Sequence, residues 1–190
     1  MRPEKVLEHN ADVVLEYIKH HGPVSRAEIA RALGFSKSAI SNLTSFLLEN
    51  QLLTVVGIGH PTTGRKSQLL AFNSNAFFYV SIDLRWHQVG VAVVNLNGRI
   101  LARVATLLTR PQDPADVISR IGESVNRVLL GYQTEMSLKD VKAIGVMVPG
   151  IVDTESGQVI YSSNLGWDTP VDLGATLENM TGLPVYVEND

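Results

Sequence analysis

The stretch Ser25–Leu53, SRAEIARALGFSKSAISNLTSFLLENQLL, predicts two short helices joined by a tight turn. Glu28 follows Ser25 at the spacing of a capping box, in which a hydroxyl and a carboxylate each satisfy a free backbone N–H. Gly34 stands where a left-handed residue can end the first helix. The second helix is predicted to start at Ser36, and helical spacing places three apolar residues on its buried face: Ile40, Leu43 and Leu47.

The other face of the second helix carries mostly short polar side chains: Lys37, Ser38, Ser41, Asn42 and Ser45. An ordinary solvated helix face is one explanation for such residues. However, the face lacks the long Glu and Lys pairs usual on solvated helices, and short hydroxyls and amides allow a helix to approach a DNA groove closely. We therefore predict a helix-turn-helix that binds DNA through seven residues: Ser25, Arg26, Ser36, Lys37, Ser38, Ser41 and Asn42.

A basic loop between two β-prone runs follows this pair of helices. The runs Leu53–Ile58 and Ser67–Phe72 predict a β-hairpin, and a helix-turn-helix followed by such a hairpin is a winged helix. Arg65 and Lys66 come directly after Gly64 near the hairpin tip, so we expect them to contact phosphates or the minor groove. A plain basic surface loop is the alternative.

Charge is unevenly distributed along the 190 residues, whose net charge is −3. Residues 1–73 contain eight Lys or Arg and six Asp or Glu, whereas residues 74–190 contain eight and thirteen. The small net charge argues against a protein that coats nucleic acid with its whole surface. A basic first part instead fits a modular DNA binder.

The composition also limits which cofactors, membrane contacts and cellular location are expected. The sequence has no cysteine, so neither a disulfide framework nor a thiolate metal site is expected, and we predict no cofactor in this chain. No apolar run reaches membrane-spanning length, and the first residues lack the core of a signal peptide. We therefore expect a cytoplasmic protein with no membrane partner.

The pattern changes after a polar joint at residues 73–75, which divides the chain into predicted domains at residues 1–74 and 75–190. A helix over Val6–His20 is expected to pack behind the turn in the first domain. The second domain begins with three predicted strands, the last two joined by an Asn-Gly turn: Phe78–Leu84, Val89–Asn95 and Arg99–Leu107.

An amphipathic helix from Val117, ended by Gly131, precedes a continuous apolar strand, Val141–Val148, of the kind buried on both faces. A helix over Val171–Met180 and a strand over Val185–Glu188 complete the chain. This order resembles one lobe of the ribonuclease H-like, actin-like α/β fold used by sugar kinases. We expect the lobe to be incomplete, because the chain stops directly after a strand.

Two motifs together carry a resemblance to the ROK family of bacterial repressors, open reading frames and sugar kinases. The first is the helical stretch with the following TGRKSQLLAF, which is similar to the branch of N-acetylglucosamine and xylose repressors. The second is IGVMVPGIVDTESGQVIYSSNLGWDTPVDLGATLENMTGLPVYVEND. The resemblance covers nearly the whole chain.

Family members bind a sugar between two lobes, and the resemblance implies four sugar-binding positions here: Gly150, Asn164, Asn189 and Asp190. Asn and Asp at the carboxyl end of a strand can bind adjacent sugar hydroxyls, where open α/β sheets place their ligands. In the kinases of the family, the carboxylate matching Asp190 is the general base. Asn164 taken alone is equally well explained as a turn residue.

The sequence departs from the family kinases after the first strand of the second domain. Those kinases carry an Asp-x-Gly-Gly-Thr phosphate loop, but this sequence has Asp83-Leu84-Arg85-Trp86-His87, without glycine. We expect Asp83 to cap a turn and the protein not to be an enzyme. The resemblance also implies a structural zinc held by a cysteine-rich motif in the later half of family members, and this sequence contains no cysteine.

The prediction is a sugar-responsive DNA-binding regulator, a repressor of carbohydrate genes. Its expected partners are double-stranded operator DNA, a sugar or sugar phosphate, and further copies of itself in a homodimer or higher homo-oligomer. One alternative is a ROK sugar kinase with an attached DNA-binding domain. Another is a truncated product that binds DNA but cannot close around a sugar.

Overall fold

Three helices and a small sheet form the first of two units into which the chain divides, Met1–Ala76 and Phe77–Asp190. The computed structural model describes residues 3–59, 67–109, 113–132 and 140–190. In chain order, the elements of the first unit are α1 (Pro3–His21), β1 (Val24–Ser25), α2 (Arg26–Leu33), α3 (Lys37–Glu49), β2 (Leu53–Gly59) and β3 (Ser67–Phe72). The predicted helices and both predicted hairpin strands are therefore present.

The core of the first unit comes from one face of each helix. Helix α1 buries Ala11, Val14 and Ile18 at helical spacing, while its Val13 is 38% exposed. The three buried residues of α1 pack with Ile29 of α2 and with the predicted apolar face of α3. Strands β2 and β3 pair antiparallel, and β1, which was not predicted, pairs with the other edge of β3.

The second unit is built on a five-stranded sheet in the order β10-β7-β4-β5-β6. Strands β4 (Phe78–Arg85), β5 (Gln88–Asn95) and β6 (Ile100–Leu107) pair antiparallel. Helix α4 (Pro114–Tyr132) leads to β7 (Val141–Val148), which pairs parallel with β4. A two-stranded hairpin, β8 (Ile151–Asp153) and β9 (Gln158–Tyr161), and helix α5 (Leu173–Thr181) precede β10 (Val185–Asn189), which pairs parallel with β7.

Helices α4 and α5 share one core with the sheet. Alternate residues of β4, from Phe78 to Leu84, join the same buried cluster as Ile121 of α4 and Leu177 of α5. This pattern explains a wrong prediction about β7, which is not buried on both faces: Lys142, Gly145 and Met147 are exposed. From Ile144 onward, alternate side chains, Ile144, Val146 and Val148, reach the core cluster, and Ala143 is also buried.

Two other element predictions need correction. Helix α4 continues through Gly131 to Tyr132, so this glycine does not end it. Helix α5 begins after Asp172 rather than at Val171, because Val171 is held by two backbone hydrogen bonds to Val159 of β9, at 2.9 and 3.0 Å. The β8–β9 hairpin itself was not predicted.

Candidate functional site

A capping box fixes the start of α2. The Glu28 backbone N–H donates to Ser25 Oγ at 3.3 Å, and the Ser25 backbone N–H donates to Glu28 Oε2 at 2.7 Å. These hydrogen bonds from Ser25, first from its backbone and then from its side chain, lower the pKa of the Glu28 carboxyl. The capping box inferred from the sequence is confirmed.

The turn between α2 and α3 is set by a left-handed glycine and a second cap. Gly34 ends α2 with a φ of 70°. Ser36 caps α3, since its Oγ accepts from the Ala39 backbone N–H at 3.2 Å and lies 3.0 Å from Ser38 Oγ. The start of α3 is therefore positioned by side-chain hydrogen bonds as well as by packing.

The exposed face of α3 brings together four of the predicted DNA-binding residues: Lys37, Ser38, Ser41 and Asn42. Ile40, Leu43 and Leu47, on the opposite face, are buried. Ser36 is exposed at the amino end of the same helix. The structure thus presents five polar residues, four with short side chains and one lysine, on the exposed side of α3, while the opposite side of the helix packs in the core.

Two other predicted DNA-binding residues have structural contacts of their own. Ser25 is 6% exposed, and its hydroxyl donates to Glu28 Oε2 at 2.7 Å. Arg26 is half-buried: its Nε donates to Thr44 Oγ1 at 2.8 Å and its Nη1 donates to Gln68 Oε1 at 3.2 Å. Arg26 therefore ties the first turn of α2 to α3 and β3.

Thr44 is a structurally important residue that no sequence pattern singled out. It is fully buried, and its Oγ1 donates to the Ile40 carbonyl at 2.8 Å while accepting from Arg26. A hydroxyl at a position next to the apolar face of α3 was the available signal. The remaining predicted DNA-binding residues, Arg65 and Lys66, lie outside the described residues, between the ends of β2 and β3.

An open cleft of about 570 Å³ lies in the second unit, where β4, β7 and β10 end at the same edge of the sheet. Its walls come from the end of β4 and the following turn, from the end of β7, and from two of the predicted sugar-binding residues. The lining residues are Ser81, Asp83, Arg85, Trp86, His87, Met147, Pro149, Asn164 and Asp190. The cleft therefore joins Asn164 and Asp190 with residues of the sequence that replaces the kinase phosphate loop.

The other two predicted sugar-binding residues contact each other beside the cleft. Asn189 Nδ2 donates a hydrogen bond to the Gly150 carbonyl. A Cβ atom on Gly150 would lie 2.4 Å from the Tyr161 carbonyl oxygen, so no larger residue fits there without a shift of the backbone. Ser162 Oγ donates to the neighbouring Pro149 carbonyl. Gly150 and Asn189 thus fix the chain at the cleft edge without lining the cleft.

Asp83 does not cap a turn, which corrects the expectation from the sequence. It lies within β4, paired with Gly90 of β5, and the turn is formed by Trp86 and His87. The Arg85 Nε donates to Asp83 Oδ2 at 2.9 Å and to Oδ1 at 3.1 Å, and Arg85 Nη2 lies 2.8 Å from Oδ2. The two residues meet because side chains at i and i+2 project from the same face of a strand.

Arg85 interacts electrostatically with both acidic residues of the cleft. The hydrogen bond and the attraction to Asp83, with a further attraction to Asp190, raise the pKa of the Arg85 guanidinium. Trp86 is 52% exposed, and its ring contacts that of His87 at 4.7 Å between centroids. Within the part of the chain that the structure describes, His87 Nδ1 is buried without a hydrogen-bond partner.

Within the described ranges, no three His, Cys, Asp or Glu side chains are grouped so that they could hold a metal ion. Likewise, no helix of the described segments has both the length and the apolar character needed to cross a membrane.

Comparison with known proteins places the fold among sugar-related regulators and kinases. The chain is 32% identical over 185 residues to a protein of Caldicellulosiruptor sp. (strain Rt8B.4) named provisionally as a xylose repressor, covering 95% of this chain and 45% of that protein. It is 25% identical over 189 residues to the DNA-binding transcriptional repressor Mlc of Escherichia coli (strain K12), covering 98% and 46%. The chain thus spans less than half the length of these relatives.

A crystal structure of a ROK family transcriptional regulator, described as a homolog of E. coli MLC, matches with a TM-score of 0.71 and 25% identity over 97% of this chain and 46% of that one. The ROK hexokinase from Thermus thermophilus matches 60% of this chain and 35% of its own, with a TM-score of 0.50 and 23% identity, a likeness of fold alone. The ROK family model matches residues 79–190. This match covers more than half of the 190 residues of the chain, and the chain therefore belongs to the ROK family.

Proposed function

We propose that the chain is part of a sugar-responsive DNA-binding transcriptional regulator, a repressor of carbohydrate genes. In this proposal the first unit is a winged helix, α3 enters the major groove of operator DNA, and the segment between β2 and β3 is the wing. The names of the relatives, xylose repressor and transcriptional repressor Mlc, support a repressor role. Arg65 and Lys66 of the wing contact the DNA backbone or minor groove.

The observation that carries the proposal is the exposed face of α3. The Ser36 side chain caps its amino end, its opposite face packs in the core, and its Thr44 accepts a hydrogen bond from Arg26 of α2. Lys37, Ser38, Ser41 and Asn42 are left facing solvent. Short side chains on a rigid helix suit readout of base edges, because the helix backbone can lie deep in the major groove.

The second unit is proposed to sense the effector. Asp190 and Asn164 line one cleft, and their oxygens and amide can bind adjacent sugar hydroxyls. Gly150 and Asn189 set the edge of that cleft through their mutual hydrogen bond. Effector binding is proposed to change the separation of the reading helices in a dimer, because operator half-sites demand a fixed spacing.

Kinase activity is not part of the proposal. A phosphate loop needs backbone N–H groups that approach the nucleotide closely, and the turn here carries the large side chains of Trp86 and His87. The Arg85–Asp83 pair also occupies that end of the cleft. Sugar-dependent ATP hydrolysis by the purified full-length protein would contradict this view.

Asn42→Ala tests the DNA-reading role. An Asn that pairs with adenine contributes roughly 1–3 kcal/mol of discrimination, so we expect affinity for a selected operator to fall about tenfold or more, and affinity for random DNA to change less than about twofold. Fluorescence anisotropy on both duplexes measures the two losses. Asn126→Ala, on the exposed face of α4, is the matched control and should change neither. Equal losses on both duplexes would remove Asn42 from the base-reading face.

A further inference from the structure

We propose that the cleft takes an uncharged sugar ring and disfavours phosphorylated sugars, with Trp86 as the stacking surface and with the Arg85 guanidinium engaged by Asp83. This inference rests on the proposed sugar-sensing function. It selects one effector class from the two that the ROK resemblance leaves open.

The aromatic surface comes from the turn between β4 and β5. Trp86 is 52% exposed in the same cleft as Asn164 and Asp190. A sugar ring has an apolar C–H face and a rim of hydroxyls, and C–H groups pack well on the negative face of an indole. A half-exposed Trp beside a carboxylate and an amide therefore matches both surfaces of a sugar.

The charge of the cleft opposes a phosphate. Among the lining residues that the structure describes, Asp83 and Asp190 are acidic and Arg85 is the one Lys or Arg. A phosphate monoester brings about −1.5 to −2 charges, and because Asp83 is paired with Arg85, the Asp190 carboxylate is the net negative charge that repels it. A neutral sugar meets no such repulsion.

The guanidinium that could offset this repulsion is already engaged. Arg85 contacts both carboxylate oxygens of Asp83, with Nε at 2.9 and 3.1 Å and Nη2 at 2.8 Å from Oδ2. This two-point contact is the same donor geometry that arginine uses to bind phosphate. A phosphate would have to displace the Asp83 carboxylate before it could use these donors.

The test is isothermal titration calorimetry on the full-length protein with matched pairs of probes. The probes are D-glucose and glucose 6-phosphate, N-acetylglucosamine and its 6-phosphate, and D-xylose and xylose 5-phosphate. We expect at least one free sugar to bind about tenfold or more tightly than its phosphate. A tenfold ratio of Kd values corresponds to about 1.4 kcal/mol of binding free energy, which repulsion between a phosphate and a nearby carboxylate can supply.

Asp83→Asn should release Arg85 and remove one negative charge, so the preference for the free sugar should narrow by about tenfold. Asp116→Asn is the matched control, since it breaks a similar exposed Arg–Asp pair, Arg120 Nε to Asp116 Oδ2 at 2.9 Å, on α4. It should leave the preference unchanged.

Trp86→Ala should weaken binding of the free sugar about tenfold, whereas Trp86→Phe should retain most of it, because a phenyl ring still offers a stacking face. This pair also tests the proposal if the Asp83 variant does not fold. Tighter binding of a phosphate, or equal binding by Trp86→Ala and wild type, would overturn the inference and leave the proposed regulator standing. If no probe of either class binds, the sugar-sensing part of the proposed function fails together with the inference.

Discussion

At the scale of single residues, Gly150 shows how a backbone contact decides which residue can stand at the cleft edge. An added Cβ would meet the Tyr161 carbonyl at 2.4 Å and Ser162 Cβ at 3.0 Å. The Gly150 carbonyl also accepts the hydrogen bond from Asn189. The glycine is therefore required by close approach of β9 rather than by its own backbone conformation.

Gly150→Ala is expected to lower the free energy of unfolding by about 1–3 kcal/mol, because the methyl group must push the backbone of the neighbouring strand away. Urea unfolding followed by circular dichroism measures the change. Gly145→Ala is the control, since an added Cβ there has nothing within 4 Å. We expect Gly145→Ala to be neutral or slightly stabilising, and similar losses in both variants would exclude the contact with Tyr161 as the cause.

The resemblance to the ROK family singled out Gly150 and Asn189 from sequence, but not the contact that relates them. Their hydrogen bond spans 39 positions, and the clash that excludes a side chain at Gly150 comes from a strand that was not predicted. Arg26 and Thr44 are a similar case, joined across 18 positions. Local patterns report spacing along one element, whereas these contacts exist only after separate elements have packed.

At the scale of elements, helix α2 shows that a short helix can depend on its first turn. The helix has eight residues, and isolated helices of this length are marginal in water. The capping box supplies hydrogen bonds to backbone groups that otherwise lack partners. Removing it with Ser25→Ala should cost roughly 0.5–2 kcal/mol.

The capping box also predicts a dependence of stability on pH. The hydrogen bonds from Ser25 lower the pKa of Glu28 in the folded state below its ordinary value of 4.5. The stabilisation is therefore complete above that ordinary pKa and is lost as the pH falls through the lower, folded pKa. Glu28→Gln should reduce the loss of stability on acidification below about pH 4.5, measured as urea midpoints at several pH values.

Glu49→Gln is the control for this titration, because it changes another exposed Glu, at the last residue of α3. If Glu28→Gln and Glu49→Gln give the same profile as the wild type, Glu28 does not contribute to the acid sensitivity of the protein.

Elements with strong local signals were predicted, and elements defined by pairing alone were not. The capped helices and the β2–β3 hairpin are long enough to show periodicity or flanking turn residues. Strand β1 has two residues and β8 has three, so no period can be recognised in either. The burial of β7 was overestimated because an apolar run does not reveal how many faces a sheet has covered.

Across the whole chain, the two parts have net charges of opposite sign, and each sign fits the function proposed for that part. The first 73 residues have an excess of two basic residues, while the remainder has an excess of five acidic ones. A basic segment attracts the phosphate backbone, whereas an acidic segment disfavours anionic ligands. The low net charge of −3 conceals this division.

The division predicts where the salt dependence of DNA binding originates. Each phosphate neutralised by a Lys or Arg releases counterions, so log Kd depends linearly on log salt with a slope set by the number of such contacts. If the wing contacts phosphates, Arg65→Ala should weaken operator and random DNA alike and reduce the slope by about one. Anisotropy titrations between about 50 and 200 mM salt measure it. Arg103→Ala, exposed on β6 of the second unit, is the control, and a change of slope as large as that of Arg65→Ala would mean that phosphate contacts are not confined to the first unit.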